Sequence, residues 1–251
     1  YSVIPRIMGG NAKADDLIRI GEVAKKYNIK TIKITGGQRI GLYGVEKEAL
    51  LSVWQDLEMP SGFAYGKALR TVKTCVGSEW CRFGTQNSTA LGIRLETIFD
   101  RTWYPAKTKM AASGCPRNCA EATIKDFGVV GVEGGWEIYV GGNGGVKVRA
   151  GDLLCMVNTD DAVVEIAKAY WQYYRESGKH NERTAPWLER IGLEKIKQAV
   201  IHNMESRKAL IERMEIYLST LTTDPWQERL KDGNQPDNMV RFNEYKTIDI
   251  P

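Results

Sequence analysis

TCVGSEWCRFG, residues 74–84, and ASGCPRNCAEA, residues 112–122, carry four of the chain's five cysteines in two pairs. Cys75 and Cys81 stand as C-x5-C, Cys115 and Cys119 as C-x3-C. A strand, LRTVKT, runs into Cys75, and a Gly-Ser loop then lets two sulfurs converge on one object. A second strand, KTKMAAS, ends at Gly114-Cys115, and Pro116 suits the first position of a helix over 115–125. In such a helix Cys115 and Cys119 share a face near the N-terminus, where exposed amides and the helix dipole favour thiolate. Four converging thiolates suit a [4Fe–4S] cluster or a structural zinc, and the wide first gap argues against zinc. Cys155, inside the apolar run LLCMV, reads as a core residue.

Outward from the cysteines, the pattern is α+β. The segment ADDLIRIGEVAKKYNI sets Leu17, Ile20, Ala24 and Tyr27 at helical spacing. KTIKIT and QRIGLYG read as strands around Gly36-Gly37, with Ile32 and Ile34 on one face of the first. VEKEALLSVWQDL gives a helix whose apolar face is Ala49, Leu50, Val53, Trp54 and Leu57. TQNSTALGIRLETIFD reads as a helix with capping residues at its start. FGVVGV, WEIYV and VKV read as short strands, with GGNGG at 141–145 as a turn or a close backbone approach. From about residue 160 the chain reads as helical, and Trp171, Tyr173, Tyr174, Trp187 and Trp226 are expected to pack that region. The tail beyond Pro225 is polar and weakly patterned. The expected division is an α/β half-domain at 1–65, a cysteine-bearing α/β domain at 66–158, and a helical extension at 159–251.

Bulk composition excludes more than it proves. The 251 residues carry 35 Lys and Arg against 31 Asp and Glu, a net +4 too mild to point to nucleic acid or a membrane surface. No apolar run approaches the roughly 18 residues of a membrane span. The N-terminus lacks a signal-peptide pattern, and an odd cysteine count in a leaderless chain fits a reducing, cytoplasmic compartment. The missing initiator Met fits a piece of a longer polypeptide.

TCVGSEWCRFG, KTKMAASGCPRNCAEA, VGGNGG and TAPWLE, in this order, closely resemble the sirohaem-containing part of assimilatory NAD(P)H-dependent nitrite reductases, members of the sulfite/nitrite reductase haemoprotein family. The resemblance covers roughly residues 5–200, and its cysteine motifs are specific to that family. It implies a ferredoxin-like half-domain followed by a sirohaem and [4Fe–4S] domain. It implies six-electron reduction of nitrite to ammonium, or, by the same machinery, of sulfite to sulfide. A cluster-only electron carrier or a zinc-stabilised interaction module is the reading of another class.

By the same resemblance Cys75, Cys81, Cys115 and Cys119 are cluster ligands, and Cys119 also bridges to the sirohaem iron. Lys107 and Lys109 share parity in their strand and resemble the lysines that hold substrate and deliver protons. Arg70 resembles a substrate or cofactor-carboxylate ligand. Sirohaem is a polycarboxylate, so Arg82 and Arg117 are candidates for its carboxylates and Asn118 for the cluster or cofactor edge. Gly142 and Asn143 are expected to bring backbone close to the macrocycle or to form a hairpin turn. The chain departs from the family at Gly37-Gln38-Arg39, where the arginine follows the glutamine; Arg39 is the candidate for its role. Two-copy relatives take the lysines from one half and the cysteines from the other, whereas this chain has a single copy. A homodimer or larger assembly, with lysines acting across the interface, is therefore expected. Flavin and NAD(P)H-binding parts are absent here, which implies a separate electron donor.

Overall fold

The computed structural model describes residues 1–233. Two compact units emerge, each assembled from more than one stretch of chain. The first takes in Tyr1–Arg6, Ala12–Gly62 and the chain from Thr223; the second takes in Ile7–Asn11 and Phe63–Thr222.

In the first unit, β1 (Ser2–Val3), β2 (Thr31–Ile34) and β3 (Ile40–Tyr43) form an antiparallel sheet in the order β1-β3-β2. Helix α1 (Ala14–Lys26) buries Ile20, Val23 and Ala24, while Leu17 of the expected face is exposed. Helix α2 (Leu50–Leu57) buries Leu50, Val53, Trp54 and Leu57, the face its periodicity predicts. Every residue of β2 is exposed, Ile32 and Ile34 included. The expectation of a weakly patterned tail needs correcting. Pro225–Asp232 is a helix, capped by Asp224, which accepts from the Trp226 amide at 2.9 Å. Trp226 does not join the helical region as expected; it stacks on Trp54 at 5.6 Å within the first unit. The expected extension beyond residue 233 lies outside the described residues.

The second unit is built on a mixed sheet in the order β4-β5-β6-β7-β8. The strands are β4 (Lys73–Thr74), β5 (Met110–Ser113), β6 (Phe127–Val132), β7 (Gly135–Val140) and β8 (Asp152–Val157). β4–β5 and β5–β6 pair parallel, β6–β7 and β7–β8 antiparallel. Ile7–Asn11 belongs here because the buried Glu96 carboxylate accepts the Gly9 amide at 2.8 Å and the Val72 amide at 3.0 Å. The VKV strand is absent: Val146 and Val148 are exposed, and the third strand expected there is supplied by residues 152–157 instead. Cys155 is half-buried on β8, and burial pushes its thiol up to about 11.

After α3 (Gly77–Trp80) and α4 (Ser88–Phe99) come α5 (Asp160–Ser177), α6 (Thr184–Ile191), α7 (Leu193–Lys197) and α8 (Met204–Ser219). These later helices share one core with the sheet. Phe127 and Ile138 pack with Tyr170, Trp171, Tyr174 and Trp187, all fully or almost fully buried. Each such ring removes on the order of 150–250 Å² from water, so this aromatic layer dominates the unit's stability.

Candidate iron–sulfur and anion site

The cysteines sit on two loops at the C-terminal ends of parallel neighbours β4 and β5, so the parallel pairing delivers both motifs to one end of the sheet. The loops then lock backbone to backbone. The Gly114 amide donates to Cys75 Sγ at 3.1 Å, and the Thr85 and Gln86 amides donate to the Gly114 carbonyl at 2.8 and 3.0 Å. Ser88 Oγ lies 3.2 Å from the same sulfur. A Cβ on Gly84 would fall 2.5 Å from the Gly77 carbonyl carbon, and one on Gly114 would fall 2.7 Å from the Gln86 carbonyl oxygen. Only glycine lets the chain pack this closely, within the first loop at Gly84 and between the two loops at Gly114.

The expected helix over 115–125 does not form. Asn118 and Glu121 adopt left-handed φ values of 54° and 56°, which break helical continuity. The Asn118 side chain explains the alternative: its Oδ1 accepts the Ala122 amide at 2.7 Å, and its Nδ2 donates to Thr123 Oγ1 at 2.7 Å. Ser113 Oγ, in turn, accepts the Ala120 amide at 3.1 Å. Cys115 is therefore buried and Cys119 exposed on a hydrogen-bonded loop. Asn118 spends its amide on that loop, a scaffolding role the spacing did not reveal.

Outside the cysteines, Arg82 and Arg117 come together although their motifs are far apart in sequence. Both guanidinium groups lie over the Phe83 ring, 4.6 and 3.8 Å from its centroid. Val76 and Trp80 are exposed on the first loop, beside the sulfurs. Arg70 turns elsewhere: it donates to the carbonyls of Tyr65, Ala68 and Gly66 at 2.8, 2.9 and 3.1 Å. Gly142 donates its amide to the Lys125 carbonyl at 2.9 Å, and Asn143 pairs with Arg149 and ties Lys147 and Gly145 within its own loop. Arg39 belongs to the first unit, where it closes the β2–β3 turn against Thr35.

Lys107 and Lys109 precede β5 rather than lie in it, yet the predicted parity holds. Ala106, Thr108 and Met110 are buried and the two lysines exposed in alternation. Partial burial, then Lys107, Arg183 and Lys125, hold the Lys109 ammonium below its ordinary pKa, with Asp126 opposing them. Asp126 and Arg183 were missed in the sequence reading. The only signal was TAPWLE, which begins one residue after Arg183.

The donor set, four free thiols and no fixed disulfide, fits an iron–sulfur cluster. Among the described residues no three Cys, His, Asp or Glu side chains gather closely enough to share one ion.

Paired cysteine loops at one end of a mixed sheet define an iron–sulfur protein. The chain belongs to the nitrite and sulphite reductase 4Fe-4S domain family, which matches residues 65–208; residues 1–60 match the nitrite/sulfite reductase ferredoxin-like half domain. The cofactors that go with this family are a [4Fe–4S] cluster and sirohaem. A nitrite reductase (NAD(P)H) of Bacillus subtilis is 58% identical over 92% of this chain, which spans 29% of that protein. An assimilatory-type sulfite reductase of Nitratidesulfovibrio vulgaris is 36% identical over 80% of this chain and 92% of its own length. The structure of Mycobacterium tuberculosis NirA protein superposes with a TM-score of 0.71 at 19% identity, covering 82% of this chain and 40% of that one. No described helix is long and apolar enough to cross a membrane.

Proposed function

We propose that this chain is the catalytic part of an assimilatory nitrite reductase that reduces nitrite to ammonium. The observation that carries the reading is the locking of the two cysteine loops through Gly114 and Cys75 at the C-terminal ends of β4 and β5, with the lysine pair entering β5 at its other end. Cys75, Cys81, Cys115 and Cys119 hold the cluster, and Cys119, the exposed one, is also the sirohaem ligand. Sirohaem and the cluster supply the electron transfer to bound anion when present. The chain's own groups do the rest. Lys107 and Lys109 hold nitrite and deliver protons as its N–O bonds break, a role suited to an ammonium whose pKa is lowered. Arg82 and Arg117 take cofactor carboxylates.

Electrons arrive from an NAD(P)H-linked flavin domain or protein, in the reducing, cytoplasmic setting that suits five free cysteines. The chain works as a homodimer in which one copy's lysines serve the other's cofactors. Mixing Cys119→Ser chains with Lys109→Ala chains should restore activity; no recovery removes the shared site.

The decisive experiment is spectroscopic and kinetic. Anaerobically purified protein should show the Soret and red bands of sirohaem and turn over nitrite with a larger kcat/KM than sulfite. A colourless protein with stoichiometric zinc overturns the reading. The Nitratidesulfovibrio relative, matched over 92% of its length, makes sulfite the second substrate to be tested.

A further inference from the structure

We propose that Asp126 is a positioning residue that binds Lys109 and Arg183 into one anion-holding unit, with Arg183 as a further cation facing substrate. The proposal rests on the nitrite-reduction reading above.

Asp126 sits immediately before β6 and is 1% exposed. Its Oδ2 accepts the Lys109 backbone amide at 2.8 Å. Arg183 Nη2 donates to Oδ1 at 3.0 Å and to Oδ2 at 2.9 Å, with Nε 3.3 Å from Oδ1. The Thr184 hydroxyl donates to Oδ1 at 2.5 Å, and the Tyr170 hydroxyl donates to the Asp126 carbonyl at 3.1 Å. One carboxylate therefore pins the segment entering β5 and the start of α6.

A buried carboxylate in a region this apolar is costly, and a well-packed apolar replacement would often serve stability as well. What an apolar group cannot do is set the place of two cations. The neighbouring lysines are otherwise engaged: Lys73 and Lys125 share Glu121, at 3.1 and 3.0 Å. Lys107 and Arg183 are the further cations that act on Lys109, and the buried Asp126 carboxylate opposes them. The Arg183 side chain is 28% exposed, so its guanidinium spans from the buried carboxylate to solvent. Cations held near one another above a single carboxylate leave an excess of positive charge, which a bound anion neutralises.

The test uses the holoprotein with nitrite as the probe, at matched cofactor absorbance and iron content. Equilibrium binding is followed by the change in the haem spectrum, and turnover is measured separately with a reduced viologen. Asp126→Asn should weaken nitrite binding by about tenfold or more, the scale of losing a positioned charge–anion contact. Added to Lys109→Ala/Arg183→Gln, it should change binding by less than about twofold, because groups acting as one unit are not additive. A merely structural role predicts the same loss in both backgrounds. Should Asp126→Asn fail to assemble, Arg183→Lys carries the test: it keeps the charge without the fork, and binding should weaken by about threefold or more. Unchanged binding in Asp126→Asn, or full additivity in the triple variant, overturns the proposal, as does a wild type that does not bind nitrite. Binding with the expected coupling but no turnover removes the reaction and leaves the positioning role; turnover without coupling does the reverse.

Discussion

The cysteine loops and the aromatic layer of the same unit are held together by opposite means. Around Tyr170, Trp171, Tyr174 and Trp187, stability comes from filled volume: large rings, fully buried, with centroids 5.1–6.1 Å apart. Around Cys75 and Gly114 there is little side-chain volume to bury, and hydrogen bonds from backbone amides and from the Ser88, Thr89 and Thr85 hydroxyls do the joining. The core is thus sensitive to atoms removed, the site to atoms added. Such a division suits a cofactor site, where the sulfurs must be placed while the space in front of them stays clear.

The sharpest way to break the contrast is to delete volume from the core. Trp187→Ala should cost about 3–5 kcal/mol, read as a lower urea midpoint, because its ring and its hydrogen bond to Ser177 are both lost. A loss below about 1 kcal/mol would mean the aromatic layer is not what holds the unit. Adding one carbon at the site tests the other side. Gly84→Ala should cost about 1–3 kcal/mol from forced backbone movement, and iron and labile sulfide per chain should fall more steeply than stability does. Asn118→Ala comes next, at about 1–2 kcal/mol, since it removes hydrogen bonds to Ala122 and Thr123 and leaves alanine at a positive φ.

The smallest effect is electrostatic. Arg190 holds the Glu182 carboxyl down at about 2. A depressed carboxylate contributes stability that is present above its unfolded pKa and lost as pH falls towards the folded value. Stability should therefore drop between about pH 4.5 and pH 2. Arg190→Gln should flatten that limb only slightly, because solvent screens the exposed pair, measured as melting temperature against pH.

The same contrast explains what was legible beforehand. Helices α1, α2 and α5 follow apolar periodicity, which is a local property of the chain, and α4 follows its capping residues. Strands β6 and β7 stand where short strands are expected, β6 buried on both faces, with a two-residue turn at Glu133-Gly134 between them. The loop from Cys115 to Ile124 misled because Pro116 is a sound helix-start signal. Hydrogen bonds from Ser113 and Asn118 outweigh it. Candidate arginines were the least legible. A guanidinium reaches far, so composition near a motif does not say whether it faces carbonyls, as in Arg70, or an aromatic ring, as in Arg82 and Arg117.

By itself the sequence determined the chemistry: four cysteines in two spaced pairs, a parity-matched lysine pair before the second, and the family to which these belong. Spacing along a chain is local information, and ligand type and strand parity need nothing more. Only the tertiary structure decided that the loops join through Gly114 and Cys75, and that Asp126 gathers Lys109 and Arg183. Those contacts link residues from 17 to 57 positions apart, and no short-range pattern records them.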